Sequence, residues 1–321
     1  MNATTSGPQL PWTEDPHRTG EPMQVQLPLP GASCRAAVWR YRPTRSPGAA
    51  AHSGRRLPRL LMIHGFRGDH HGMQLVVDAL AEFEVFVPDL PGFGATPAVV
   101  DAAGRPVEHS VQLYAQVVAA LADALELGEE DVLTGHSFGT IITSAHAAQS
   151  PSRWAGLVLS APISNSVFSG TQLPGAAVVE LYYQLSRLLP ARAADALLRS
   201  QTVMEVTNLT MGVEWDAPLA AFVRDQHRRY FGGYADRATL LQAYRASSRH
   251  TVADYAEGLQ LPVLLLPGAK DQLSSPQGRR RLLARLPQGR METLRGTGHL
   301  VHYEKPAQLA RAVRRFIAQL G

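Results

Sequence analysis

Short apolar runs alternate with segments of helical spacing along most of the chain. Nearly unbroken apolar runs lie at residues 60–63, 85–88, 131–134, 157–159 and 263–266, with a weaker one at 291–294. Runs without polar alternation are typical of strands that are buried on both faces of a parallel sheet. Apolar residues recur at helical spacing over 113–127 and over 307–320. This pattern predicts an α/β fold with a mostly parallel sheet and helices on both faces.

The N-terminal part of the chain follows a different pattern. Residues 1–22 are polar and rich in Pro, Thr and Gly, so we predict a flexible N-terminal arm. Apolar and polar residues alternate over 23–29 and 36–41 with a Pro-Gly pair between them, which predicts a β-hairpin. Residues 43–56 combine Pro, Gly, Ser, Ala and Arg, which indicates a long flexible connection to the first buried strand.

One long interval interrupts the alternation of strand and helix. Between the apolar runs that end at Leu159 and begin at Val263, no good strand pattern is present. Helical spacing is found there instead, at 176–189, 192–200, 217–230 and 237–247. A crossover helix needs far fewer residues, so we predict an inserted helical cap, or lid, over 163–256. The segments 23–162 and 257–321 then form the core domain.

The composition is that of a soluble globular protein. The chain has 321 residues, of which 45% are hydrophobic and 18% are charged. The formal net charge is +4, but no run of basic residues is interleaved with aromatic residues, so no nucleic-acid partner is expected. No apolar run approaches the roughly 20 residues that cross a bilayer, so no integral membrane contact is expected either. No pattern in the sequence indicates the oligomeric state.

Two features bear on the compartment. The N-terminus lacks a basic segment followed by an apolar one, the pattern of a secretory signal, so we expect a cytoplasmic protein. Cys34 is the only cysteine, which excludes an internal disulfide and indicates a buried, inert thiol. The basic residues are almost all arginine, which is typical of a protein from a GC-rich bacterial genome.

The most informative motif is G-H-S-F-G at residues 135–139, between the apolar run at 131–134 and a helical segment. A G-x-S-x-G sequence holds its serine on a sharp strand-to-helix turn, where bulky neighbours two residues away would clash. The turn lifts the hydroxyl above the sheet, at a helix N-terminus. We predict that Ser137 is a nucleophile; the alternative is an incidental serine on a glycine-rich turn.

A serine nucleophile needs a base next to it. His299 follows three small residues in the loop after the last apolar run and precedes a helix. Catalytic geometry favours a histidine in such a loop, so we predict His299 as the base and treat His302 as its rival.

The base needs an acid that orients it, at the end of a preceding strand. Asp271 closely follows the run at 263–266, and we predict it as this acid; its alternative role is to cap the helix that starts near Pro276. Asp89 also ends an apolar run, but it comes earlier in the sheet and opens a Gly-rich stretch that is typical of a structural turn.

Backbone N–H groups are expected to hold the oxyanion that develops during acyl transfer. The Phe138 N–H, directly after the serine, is one predicted donor, and the Phe66 N–H in the loop after the first central strand is the other, with Arg67 as second choice. His64 is expected to hold this loop. His70 and the histidine after it are ligand types, but no third ligand has a plausible spacing, so we predict no metal and no cofactor.

Five motifs together resemble those of the α/β-hydrolase superfamily, over nearly all of the chain after residue 22: His64-Gly65-Phe66, Asp89-x-x-Gly92-x-Gly94, Gly135-x-Ser137-x-Gly139, Gly268-x-x-Asp271 and Gly298-His299. The resemblance implies an eight-stranded, mostly parallel sheet with a lid after the sixth strand. The chain order serine, aspartate, histidine is also the order expected for this fold. Thr140 departs from many relatives, which carry another glycine there.

The resemblance narrows the reaction without fixing it, because the fold hosts many reactions. Epoxide hydrolases and haloalkane dehalogenases of the superfamily use aspartate at the elbow, so Ser137 argues against both. Enzymes that cleave carbon–carbon bonds in ring-fission products usually carry Trp after the histidine, where this chain has Leu300.

We therefore expect a cofactor-independent serine hydrolase that cleaves a small-molecule carboxylic ester with an apolar part. Thioester hydrolysis, carbon–carbon hydrolysis and acyl transfer at the same three residues remain open, as does a ligand-binding protein without turnover. The predicted cap is rich in aromatic residues, of which Tyr183, Trp215 and Phe222 are candidates to line an apolar pocket. The alternative is that these side chains form the cap's own core.

Overall fold

One mixed β-sheet forms the core of the fold. The computed structural model describes residues 17–46, 56–169, 172–213 and 216–320, and nine strands are found there. The strands are β1 (Glu21–Leu29), β2 (Ala32–Tyr41), β3 (Leu60–Ile63), β4 (Val85–Pro88), β5 (Val100–Asp101), β6 (Val132–His136), β7 (Gly156–Ser160), β8 (Val263–Leu266) and β9 (Gly289–Met291). Every residue of β3, β4, β6, β7 and β8 is buried, as the unbroken apolar runs predict.

The strand order is β1-β2-β4-β3-β6-β7-β8-β9, with β5 paired to β2. The strands from β4 to β9 in this order pair in parallel, whereas β2 is antiparallel to β1, β4 and β5. The expectation of eight strands is corrected to nine. The additional strand, β5, is only two residues long and has no apolar pattern of its own, because it depends on pairing with Ala32 and Ser33.

Helices cover both faces of the sheet, as predicted. Leu61 and Ile63 of β3 point to the face that carries α2 (Val111–Ala124) and α3 (Phe138–Gln149). Leu60 and Met62 point to the opposite face, which carries α1 (Gln74–Ala79) and α11 (Pro306–Ile317). Successive residues of a strand point to opposite faces, so each short apolar run contributes to both layers of the core. Two short helices, α9 (Pro276–Leu283) and α10 (Val301–Glu304), complete the C-terminal part.

The predicted N-terminal arm needs a correction at its end. Strand β1 already begins at Glu21, and Arg18 before it is buried with 3% of its surface exposed. The Arg18 guanidinium donates to the carbonyls of Val77, Leu80 and Tyr41, which ties this segment to the end of α1 and to β2. Residues 1–16, and residues 47–55 of the predicted flexible connection, lie outside the described residues.

Helices fill the interval between β7 and β8 in the part that the structure describes. They are α4 (Leu173–Leu188), α5 (Ala191–Leu198), α6 (Gln201–Met211), α7 (Ala217–Tyr230) and α8 (Arg237–Arg249). The sequence predicts four of these and misses α6, whose valines and threonines are poor helix formers. The 3₁₀ segment Val252–Gly258 packs on α3, so residues 252–256, which we assigned to the cap, lie against the core.

Two further observations bear on sequence expectations. Among the described residues, no helix combines the length and the apolar character that a transmembrane span requires. Cys34 is buried, and burial raises the pKa of its thiol to about 11. A thiol with this pKa is almost entirely protonated at neutral pH, as expected for an inert structural cysteine.

Candidate active site

Ser137 lies on a sharp turn between β6 and α3. Its backbone has φ 52° and ψ −116°, a left-handed region that a residue with a Cβ rarely adopts. The glycines on either side are required by close contacts. A Cβ at Gly135 would lie 2.5 Å from the Gly139 carbonyl oxygen, and a Cβ at Gly139 would lie 2.2 Å from the Ile63 carbonyl oxygen. The turn is therefore clamped between α3 and β3 with Ser137 at its apex.

His299 contacts Ser137 and Asp271 at once. Its Nε2 lies 2.7 Å from the Ser137 Oγ, and its Nδ1 lies 3.0 Å from the Asp271 Oδ1. An ionised carboxylate only accepts hydrogen bonds, so the Nδ1 carries the proton and the Nε2 is left to accept the Ser137 hydroxyl. The Asp271 and His299 side chains are 0% and 4% exposed, respectively, so this pair is shielded from water.

The two loops that carry Asp271 and His299 are held close together. A Cβ at Gly268 would lie 2.0 Å from the Gly298 carbonyl oxygen, so only glycine allows this approach. The His299 N–H donates to the Gln272 side chain at 3.1 Å, and the Leu273 N–H donates to the Asp271 Oδ1 at 2.8 Å. These contacts fix the orientation of the carboxylate relative to the imidazole.

The rival residues occupy other positions. His302 is buried beside His136, with ring centroids 3.9 Å apart, and its Nδ1 has no hydrogen-bond partner among the described residues. Burial lowers the pKa of His302 well below its usual value, so it stays neutral. Asp89 accepts hydrogen bonds from the His70 and Ala95 N–H groups, at 2.8 Å and 2.7 Å. Its carboxylate therefore stabilises the turn after β4 and does not orient His299.

The loop after β3 lies directly against the serine turn. A Cβ at Gly65 would be 3.1 Å from the Ser137 Cβ. The Leu90 N–H donates to the His64 Nε2 at 2.9 Å, so the Nδ1 of His64 is the protonated nitrogen and donates to the Gly65 carbonyl at 2.8 Å. Burial lowers the pKa of His64 and keeps this imidazole neutral. His64 thus holds the loop that contains Phe66, as its place in the sequence predicts.

Arg67 connects this loop to the helices between β7 and β8, a role that the sequence does not reveal. It adopts φ 61° and is buried, and its guanidinium donates to the Leu198 carbonyl at 2.7 Å. The same guanidinium lies 5.3 Å from the centre of the Phe231 ring and 6.0 Å from that of Tyr234. The sequence names Arg67 only as the second choice for an oxyanion donor, and the carbonyl that its guanidinium contacts belongs to a residue 131 positions away.

We expect Arg67→Lys to lower kcat by about 10–100-fold with little change in KM. A lysine keeps the charge but loses the planar fork, so the N–H of the adjacent Phe66, our predicted oxyanion donor, would lose its fixed position, and a misplacement of about 1 Å can cost about 10² in rate. The measurement is kcat and KM on a short p-nitrophenyl ester. Arg199→Lys is the matched control, because Arg199 also lies over Tyr234, at 4.4 Å, but is exposed. A rise in KM alone, or an equal loss in the control, would contradict this role.

The three candidate pocket residues have different surroundings. Tyr183 is buried on α4 and stacks on Tyr244 with ring centroids 3.9 Å apart, and it lies 6.0 Å from the Phe66 ring. Phe222 packs edge-on against Tyr303 at 6.0 Å, in a small cluster that also contains Leu300. Trp215 lies outside the described residues. Tyr183 therefore lies against the loop that approaches the Ser137 turn, and Phe222 shares a cluster with Leu300, the residue after His299.

Asp69 lies beside His70 and His71 and could be a third metal ligand. Our reason for expecting no metal was the lack of such a ligand, and this reason is wrong: ligand atoms of Asp69, His70 and His71 lie within 4.8 Å of one another. The same atoms are engaged in hydrogen bonds, since the His70 Nδ1 is 3.0 Å from the Asp89 Oδ1 and the His71 Nδ1 is 3.2 Å from the Asp69 Oδ1. Asp69 also caps the 3₁₀ turn that follows it.

Glu304 is a further residue near the site that sequence reasoning missed, and Thr140, which the sequence marks as a departure from many relatives, has a contact there that the sequence does not reveal. Glu304 accepts from the Gly298 N–H at 2.8 Å and contacts the Thr297 hydroxyl, so it holds the loop before His299. Thr140 donates its hydroxyl to the Ser137 carbonyl at 2.6 Å and so ties α3 to the turn. Glu304 belongs to no sequence motif, so only its contacts in the fold identify it.

A family model described as "alpha/beta hydrolase fold" matches residues 58–306, which is well over half of the 321 residues. The chain belongs to the α/β-hydrolase family. The matched segment begins just before β3 and ends at the start of α11, so it contains Ser137, Asp271 and His299. This α/β-hydrolase has relatives whose names describe them as hydrolases, esterases and lipases.

Two sequence relatives and one solved structure illustrate the likeness. The "Uncharacterized hydrolase YugF" of Bacillus subtilis (strain 168) is 24% identical over 265 residues, which is 80% of this chain and 89% of the relative. The human "Monoacylglycerol lipase ABHD6" is 24% identical over 279 residues, covering 82% and 76%. An esterase from Thermogutta terrifontis superimposes with a TM-score of 0.70 at 21% identity, covering 94% and 99%. The last likeness concerns the fold alone.

Proposed function

We propose that this α/β-hydrolase is a serine hydrolase that cleaves a carboxylic ester with an apolar acyl or alcohol part through an acyl-enzyme intermediate. The observation that carries the proposal is the hydrogen-bonded series from Asp271 through His299 to Ser137, with distances of 3.0 Å and 2.7 Å. A base within hydrogen-bond reach of the hydroxyl, itself oriented by a buried carboxylate, is what serine activation requires.

The proposed reaction has two halves. The Ser137 Oγ attacks the ester carbonyl carbon while the His299 Nε2 takes its proton, and the tetrahedral intermediate expels the alcohol, which receives that proton. Water then gives a proton to His299 and attacks the acyl-serine, and the carboxylic acid leaves as Ser137 regains its proton. Asp271 accepts the Nδ1 hydrogen of His299 and stabilises the imidazolium in both halves. These steps need no metal and no organic cofactor.

Two backbone donors are proposed for the oxyanion. The Phe138 N–H is in the first turn of α3, where helical N–H groups have no intrahelical carbonyl partner and the helix dipole favours negative charge. The Phe66 N–H comes from the loop that approaches Ser137 through Gly65. Removal of one donor from such a pair typically costs about 10²–10³ in kcat.

A panel of substrates tests this proposal. The purified protein is assayed on p-nitrophenyl esters of graded acyl length and on the corresponding acyl thioesters, with hydroxylamine as an alternative acceptor. We expect ester turnover with a preference for an apolar chain. Turnover of thioesters alone, or transfer that greatly exceeds hydrolysis, would identify one of the other reactions at the same residues. Binding without any turnover would identify a ligand-binding protein.

We propose that Tyr183, Trp215 and Phe222 line the apolar part of the substrate site. Apolar contacts discriminate by about 1–3 kcal/mol per methylene, so the preference among chain lengths should be graded. We expect Tyr183→Ala, Trp215→Ala and Phe222→Ala each to change the ratio of kcat/KM between long and short esters by roughly tenfold. Specificity constants for four chain lengths on each variant measure this ratio. Tyr183→Phe, which keeps the ring, is the matched control.

A uniform fall on every ester, or no change at all, would show that these side chains are cap core or surface rather than pocket.

A further inference from the structure

Helix α4 presents an apolar face to solvent. Leu173, Val178, Leu181, Leu185 and Leu188 are between 46% and 80% exposed, and their spacing of three to five residues places them on one side of the helix. Isolated exposed leucines are common on protein surfaces, but a continuous stripe along a whole helix is not. We call these five residues the α4 face.

The opposite side of the same helix is packed at Tyr183 and Ser186, whereas Val179, one turn before Tyr183, is 45% exposed. Tyr183 and Ser186 are its buried residues, and Tyr183 stacks on Tyr244 and lies 6.0 Å from the Phe66 ring. Helix α4 is therefore apolar on the side that contacts the loop beside Ser137 and apolar again on the side that faces outward. A helix with two apolar sides is typical of one that is covered on both.

The size of the α4 face argues against a second copy of this chain as the covering partner. The helix has 16 residues, so its length is about 24 Å, and one helix is about 10 Å wide. The footprint is then about 240 Å², whereas a stable dimer buries about 800 Å² on each partner. An interfacial helix needs no such minimum area, because its apolar side chains enter the boundary between head groups and acyl chains.

Charge around the α4 face favours an anionic lipid surface. Three arginines lie on or against the helix: Arg187 belongs to α4 itself, Arg237 donates to the Ser186 and Leu189 carbonyls, and Arg249 donates to Glu180. Glu180 is the one carboxylate in the sequence of α4, and it is held by Arg249 at 3.0 Å and by the Tyr244 hydroxyl at 2.9 Å, whereas Asp236 lies beside Arg237 as the N-cap of α8. An apolar stripe bordered by arginines is the composition of helices that lie in the plane of a membrane surface.

We propose that the α4 face docks the protein on the surface of an anionic phospholipid bilayer. The docked helix would then have lipid on its outer side and Tyr183 on its inner side, toward Phe66. If the proposed function holds, this arrangement indicates that the substrate is an apolar ester that resides in lipid rather than one dissolved in water. Docking on the lipid itself stands on the α4 face and its arginines alone.

Vesicle flotation tests the docking. The 321-residue Ser137→Ala protein, chosen so that no lipid is hydrolysed, is floated with vesicles of 3:1 phosphatidylcholine and phosphatidylglycerol. We expect binding that weakens in high salt, and at least a tenfold loss of the partition coefficient when Leu181→Asp and Leu188→Asp are added. The matched control is Val206→Asp on α6, where an equally exposed valine (56%) lies off the α4 face, and it should bind as before.

Light scattering and activity separate the other outcomes. Failure of the parent protein to float, or equal loss in the Val206→Asp control, would overturn the proposal. A parent dimer that becomes monomeric in the Leu181→Asp/Leu188→Asp variant, without vesicle binding, would assign the face to a second copy instead. In the Ser137-containing protein, the same two leucine changes should leave turnover of a short soluble ester unchanged. Vesicle binding by a protein that turns over no ester would end the proposed function but not the docking.

Discussion

Replacement of Ser137 by alanine is expected to lower ester turnover by about 10⁶-fold, close to the uncatalysed level, while leaving the fold intact. The change removes the only atom that can form the acyl-enzyme. The His299 Nε2 would lose its hydrogen-bond partner, the Ser137 hydroxyl, while the contact between its Nδ1 and Asp271 at 3.0 Å would remain. Alanine accepts the backbone angles of residue 137 about as well as serine does, so stability should change little.

Initial rates on the best ester of the panel, with circular dichroism as the fold check, measure this effect. Ser160→Ala is a matched control, because Ser160 is also buried and its Oγ lies 3.2 Å from the Nδ1 of His136, next to the turn. We expect the Ser160 variant to keep most of its activity. If Ser137→Ala retained wild-type rates, the serine-hydrolase account would be wrong.

Replacement of Asp271 by asparagine is expected to lower kcat by roughly 10⁴ with the fold preserved. An amide in the same place can donate to the Nδ1 of His299, which favours the tautomer whose proton is on Nε2. That tautomer cannot accept the Ser137 proton. The loss of the negative charge also removes the stabilisation of the imidazolium, and the site is too well buried for water to replace it.

The control for this prediction is the other candidate acid. Asp89→Asn should act on the turn that it organises through His70 and Ala95, so we expect a lower melting temperature and only a modest change in kcat. The reverse outcome, a nearly silent Asp271→Asn and a folded but inactive Asp89→Asn, would mean that Asp89 is the orienting acid.

The sheet was predictable because its strands are buried on both faces and their apolar runs are unbroken. The runs at 60–63, 85–88 and 263–266 coincide with β3, β4 and β8 residue for residue. The weaker run at 291–294 is displaced: β9 ends at Met291, because a short edge strand is set by pairing with β8 and not by its own pattern. Helix α6 was not predicted because its residues have poor helix propensity. Its packing against α7 outweighs this propensity.

The candidate site was predictable where a motif fixes the backbone. The glycines around Ser137 and the short distance between Gly268 and Gly298 are steric requirements that leave a mark in the sequence. The contacts that support the site have no such signature in the sequence. Arg67 reaches the Leu198 carbonyl and Glu304 holds the loop before His299 only because the chain folds back, and Asp69 joins the two histidines after it through local turn geometry.

The α4 helix illustrates the limit in another way. Its apolar residues predict a helix but not which side is covered, because apolar side chains lie on two sides of α4, at Tyr183 and at Leu181 and Leu188. The structure resolves this by burying Tyr183 and leaving Leu181 and Leu188 exposed. From the sequence alone, all apolar residues of α4 could belong to a buried cap core. The structure shows that one apolar side of the helix is exposed.

Fluorophosphonate labelling tests the central claim most directly, because the reagent reacts only with a serine that a neighbouring base activates. We expect one equivalent of label on the native protein, located on Ser137 by mass spectrometry of the peptides. Ser137→Ala should abolish the label, His299→Ala should slow it by several orders of magnitude, and prior heating should prevent it. A native protein that takes up no label, or takes it up on another serine, would contradict the account.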